Sequence, residues 1–148
     1  MNARRLTIAL VLAPLILVAC GGDDGASSGA STDPADLAGT WVLDAATIGS
    51  LSADAPSDAP VTVTFSDGQA SGSAGCNTFS GSYEAADDGT LTFGPLASTM
   101  MACEEPLMTL ESAYFGAMDA VTSFSVDGGA LMLSGDGETL SYTAESGS

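Results

Sequence analysis

The chain has no histidine and only two basic residues, Arg4 and Arg5, against 19 acidic ones. If residues 1–19 are removed, both arginines go with them and the formal charge moves from −17 to −19. A chain without cations cannot displace counterions from a phosphate backbone, which excludes nucleic acid. It also lacks the polybasic patch that holds proteins on anionic headgroups. With neither histidine nor lysine beyond that point, proton transfer near neutral pH falls to carboxylates alone. Zinc sites lose their commonest nitrogen ligand. Cysteine is scarce too: Cys20, Cys76 and Cys103, with no C-x-x-C redox pair. The one long apolar run, Leu6 to Ile16, is short for a membrane span.

What is present is a folded, acidic domain behind an export signal. Trp41, five Phe and three Tyr give the chain something to bury, so the charge is read as a solvated surface rather than as disorder. Met1–Arg5 is a basic start, Leu6–Ile16 the apolar run, and Leu17-Val18-Ala19-Cys20 closes it. This resembles the lipobox of bacterial lipoproteins. The resemblance implies a signal peptide over 1–19 and acylation of Cys20, against the alternatives of an uncleaved anchor or an ordinary secretory peptide. Several acyl chains on one residue anchor stably, each buried methylene contributing about 0.8 kcal/mol. Residues 21–36, rich in Gly, Ser, Ala and Asp, read as a flexible tether, so the domain is expected over 37–145. The expected location is the cell envelope, facing outside the cytoplasm. That means the outer membrane of a two-membrane bacterium, since Gly21 rather than Asp follows Cys20, and otherwise the outer face of the plasma membrane.

The domain reads as mostly strands. Trp41 and Leu43 share one side of the first, and Trp41 is read as a core anchor. Ser50 to Pro60 reads as a polar connection. Val61, Val63 and Phe65 alternate inward, Asp67-Gly68 turns the chain, and Gln69 to Gly75 is a strand of small residues whose glycines predict a bend or a close backbone approach. Strands at 79–83 and 91–93 flank a turn at Asp87-Asp88-Gly89. A helix is expected from about Pro106 to Val121, with Leu107, Leu110, Tyr114, Met118 and Val121 on one face and Glu104 and Glu105 at the positive end of its dipole. Three further strands follow around turns at Asp127-Gly128-Gly129 and Asp136-Gly137.

With Cys20 acylated, Cys76 and Cys103 form an even pair in an oxidising compartment. A disulfide is the first reading, ahead of free or metal-bound thiols. Gly75-Cys76-Asn77, Gly81-Ser82-Tyr83, the run 91–96 and Thr99-Met100-Met101-Ala102-Cys103 together resemble the META domain family, which includes the HslJ-like heat-shock lipoproteins. Leu37–Trp41 and Leu131/Leu133 extend the match to about 37–143. The resemblance implies a mainly β (α+β) fold, a small incomplete antiparallel β-barrel interrupted by one α-helix. It implies a role in envelope stress and supplies no catalytic residue. Its motif residues here are Gly75, Asn77, Gly81, Tyr83, Thr99 and Met100.

Enzyme activity is not expected, because Asp87/Asp88 and Glu104/Glu105 are sequence neighbours at a turn and a helix start rather than carboxylates opposed across a cleft. No cofactor and no metal are expected. Calcium would fall to Asp87 and Asp88, yet no EF-hand-like loop surrounds them. The functional expectation is a monomeric, non-catalytic accessory module that binds an envelope protein. The alternative is a carrier or chaperone for a small apolar ligand held between sheet and helix by Trp41, Phe65, Phe93 and Tyr114.

Overall fold

A computed structural model describes residues 29–48, 51–54 and 58–146. The signal segment 1–19, Cys20 and residues 21–28 of the tether lie outside them. A short 3-10 turn at Pro34–Leu37 leads into β1 (Gly39–Ile48), β2 (Leu51–Asp54), β3 (Val61–Ser66), β4 (Gln69–Ala74) and β5 (Thr78–Ala85). After β6 (Leu91–Phe93) and β7 (Ala97–Ser98) comes α1 (Glu105–Ala120), then β8 (Ser123–Asp127), β9 (Ala130–Gly135) and β10 (Glu138–Ala144). The sheet runs β6-β5-β4-β3-β1-β10-β9-β8, every pairing antiparallel, with β2 on β1 and β7 on β5.

A single bridge between Thr90 and Ser123 brings β8 back to the start of β6, so the eight-strand path is nearly a closed barrel. The mainly β barrel with one helix is therefore the fold. Val61, Val63 and Phe65 are fully buried as alternation demands, and Trp41 and Leu43 face the same interior. Asp67-Gly68 and Asp136-Gly137 both take positive φ at the two central positions, the twist that suits a two-residue hairpin. On β4 the expected close approach is real: a Cβ on Gly72 would lie 1.9 Å from the Thr62 carbonyl oxygen. Two readings shift. β2 occupies part of the stretch read as a polar connection, pairing back on β1. Ser31 to Asp36, read as part of the tether, are structured: Ser31 pairs with Val126, and Asp33 caps the 3-10 turn through the Ala35 N–H.

The helix lies against β1, β4, β6, β9 and β10 and covers one end of the barrel. Leu110, Tyr114, Ala117 and Met118 bury that face, and Val121 follows just past its end. Burial of each large apolar side chain there contributes about 1.5–3 kcal/mol. Glu111 is buried on the same face.

Candidate functional site

The residues with the densest polar contacts sit where β5 begins and α1 passes. Asn77 is 2% exposed and Glu111 6%. The Asn77 backbone N–H donates to Glu111 Oε2 at 2.7 Å, and its side-chain Nδ2 donates to Glu111 Oε1 at 2.6 Å. Backbone and side chain of one asparagine thus form a two-pronged donor that fits a carboxylate, in a chain with no cation beyond Arg5 to do so. Asn77 Oδ1 accepts from the Met101 N–H at 2.6 Å and from Thr99 Oγ1 at 2.9 Å, while Nδ2 also donates to the Met101 carbonyl at 3.2 Å. Thr99 completes the clasp by accepting from the Thr78 N–H at 3.1 Å. A buried carboxylate is tolerable only when satisfied in this way.

Cys76 and Cys103 are joined in a disulfide with Cα atoms 6.0 Å apart. It ties the residue before Asn77 to the residue before the helix N-cap. Cys76 Sγ, which carries no proton in the bond, touches the Met101 carbonyl oxygen at 3.5 Å. Gly75 stands in the left-handed region at φ +97°, and a Cβ there would lie 2.8 Å from Leu107 Cδ1. The segment 99–103 is thus held at both ends and in its middle. Its two methionine side chains nevertheless point out: Met100 is 96% exposed and Met101 58%. They border an open hollow of about 410 Å³, lined further by Met108, Ser112 and Phe115, with Asn77 and Glu111 at its inner wall.

The four aromatics proposed for an apolar ligand are placed elsewhere. Trp41, Phe65 and Tyr114 are core side chains. Trp41 Nε1 donates to the Leu37 carbonyl at 2.9 Å, and Phe65 packs edge-on to Tyr83 at 4.9 Å and beside Phe93 at 6.1 Å. The Tyr114 and Tyr142 hydroxyls share a hydrogen bond of 2.9 Å. Burial pushes both phenols well above their ordinary range. The hollows along α1 and β7 are lined by none of the four.

Asp87 and Asp88 form the exposed tip of the β5–β6 hairpin. The Asp87 carbonyl accepts from Thr32 Oγ1 at 2.7 Å, and Asp88 Oδ1 accepts from the Thr90 N–H at 2.9 Å. Hydrogen bonding from Thr90, its side chain first, holds the Asp88 carboxyl below its usual range. Glu104 is the helix N-cap without a side-chain cap bond, and Glu105 lies in the first turn. Among the described residues no three His, Cys, Asp or Glu side chains gather as metal ligands.

The model of the META domain matches residues 35–147. This chain belongs to the META domain family. A solved structure of a protein from Burkholderia xenovorans is 27% identical, covers 98% of this chain and all of its own, and superposes with a TM-score of 0.66. A second solved protein is 28% identical over 72% of this chain and 88% of its own, at a TM-score of 0.58. A DUF4847 family protein from Bacteroides vulgatus shares the fold at 16% identity, 76% and 96% coverage and a TM-score of 0.53. No curated protein matches the chain.

The structure places the residues read as the family motif as follows. Gly81 lets the β6–β7 connection cross β5, since a Cβ there would meet Leu96 Cδ2 at 2.7 Å and the Pro95 carbonyl oxygen at 2.8 Å. Asn77 and Thr99 meet in the clasp, Tyr83 packs on Phe65, and Met100 stands free in solvent. Glu111 is the residue that sequence reasoning missed. Its signal was a carboxylate four residues after Leu107 and three before Tyr114, on a stripe otherwise apolar.

Proposed function

We propose that this META domain is the exposed part of an envelope lipoprotein anchored through Cys20. It acts as a non-catalytic, protein-binding accessory module tied to envelope stress. The observation that carries the binding role is the contrast at the clasp. The polar groups there are hydrogen-bonded to one another, whereas the segment they immobilise presents Met100 and Met101 to solvent. Pre-ordering a flexible, polarisable apolar surface removes part of the entropic cost of binding. The anchor rests on the charged start, the apolar run and Ala19-Cys20.

The test is capture from an envelope extract with the acylated full chain, at low and high salt, with Met100→Ser alongside. A discrete partner retained by the wild type and lost by the variant supports the module. Equal retention by both contradicts it. Radiolabelled palmitate incorporated in the native host and abolished by Cys20→Ser supports the anchor; an unlabelled wild-type protein contradicts it.

A further inference from the structure

Ser31 and Thr32 lie at the end of the barrel opposite the methionine segment. Asn77, which holds residues 99–101, immediately precedes β5, and the Asp87 carbonyl that takes the Thr32 hydroxyl lies just past its end. The eight residues of β5 separate them by about 25 Å. β6 is antiparallel to β5 and, at the Thr90–Ser123 bridge, to β8, so β5 and β8 run the same way. Ser31 pairs with Val126 near the far end of β8, donating at 2.6 Å and accepting at 2.8 Å. Because that pairing is antiparallel, the chain before Ser31 leaves past Asp127, away from the helix. The eleven residue steps from Cys20 to Ser31 reach at most about 40 Å.

We infer that the helix-covered end is presented away from the bilayer, and that the groove between α1 and residues 97–102 docks a protein segment with a large apolar side chain flanked by Lys or Arg. Met100, Met101, Met108 and Phe115 supply the apolar lining. Glu105, beside Met108 and Ser112, stands toward one end of the groove, and Asp119, beside Phe115, toward the other. With no cation anywhere beyond Arg5, electrostatic complementarity can come only from a basic partner. A second copy of the chain would bring like charge against like. Anionic headgroups would be repelled in the same way.

The orientation rests on the anchor proposed above; the groove does not. The test uses the acylated full chain labelled at its methionine methyls, in nanodiscs of neutral lipid doped with a gadolinium-chelating lipid. Met132 stands opposite Ser125, beside the Val126 that pairs with Ser31, and is 48% exposed. The expected result is line broadening several-fold stronger at Met132 than at Met100 and Met101; equal or reversed broadening overturns the orientation. A chain that fails to join the discs overturns the anchor reading and, with it, the orientation, while the second arm still decides the groove. In that arm the peptide Lys-Lys-Leu-Trp-Leu-Lys-Lys is titrated against its Glu-flanked counterpart. The expected result is shifts at Met100, Met101 and Met108 but not Met132, with the Lys-flanked peptide at least about tenfold tighter and weakening as salt rises. Met100→Ser should weaken it several-fold while the other methyl signals stay in place. Shifts spread over all exposed methionines, equal affinity for both peptides, or self-association that occupies the groove overturns the docking surface.

Discussion

At the helix end of the barrel, two buried polar side chains and a disulfide close the structure from inside. At the tether end, one bridge, a short N-terminal pairing and exposed hydrogen bonds close it from outside. In the first set the Asn77–Glu111 bonds are buried, so they compete little with water and an orphaned group there would be costly. In the second set the side-chain bonds of Thr32 and Asp88 are exposed and compete with water. A nearly closed barrel thus has a strong end, which fixes the exposed methionines, and a weak end, which receives the N-terminal chain at Ser31.

The difference should show first at Asn77. Asn77→Ala leaves the buried Glu111 carboxylate with only the backbone N–H of residue 77, strips the side-chain bonds to Met101 and Thr99, and should lower unfolding stability in urea by about 3–4 kcal/mol. Next is the disulfide: its sequence separation of 27 predicts a loss of about 3.5 kcal/mol for the Cys76→Ala/Cys103→Ala double variant. Reduction of the wild type should approach the same midpoint. At the weak end, Ser31→Pro removes the N–H given to the Val126 carbonyl and should lose at most about 1 kcal/mol. A loss there as large as at Asn77 would dissolve the distinction between the ends.

The last effect is nil at neutral pH. Tyr114 and Tyr142, packed beneath the helix, have folded-state values raised by burial, while an unfolded tyrosine titrates near pH 10. Above that pH the unfolded chain holds fewer protons than the folded one. The neutral pair therefore stabilises fully below about pH 10 and progressively less above it. Tyrosinate absorbance and far-UV circular dichroism should change together in an alkaline titration. Ionisation of these two phenols with the fold intact would contradict their burial.

Much of this was legible beforehand. The alternation at Val61–Phe65, the Asp-Gly turns and the spacing by three and four of Leu107, Leu110, Tyr114 and Met118 are local signals, and local physics sets them. Even the cysteine pairing followed from an odd count with one residue set aside for acylation. The clasp was hidden because it joins residues 34 apart in sequence, and an asparagine in a turn looks the same whether or not a carboxylate lies under it. Ser31 and Thr32 were hidden for a similar reason. Their Gly- and Ser-rich surroundings carry no apolar period, and only the third dimension brings β8 and Asp87 to them. The four aromatics were correctly identified as large and apolar, but sequence cannot tell the lining of a cavity from a filled core.

Native-state amide hydrogen exchange measures the asymmetry most directly. The Asn77 and Met101 amides, bonded to Glu111 and to Asn77, should exchange only on global unfolding, whereas those of Ser31 and Val126 should exchange through local opening, orders of magnitude faster. Equal protection at the two ends, or faster exchange at Asn77 than at Val126, would contradict the account.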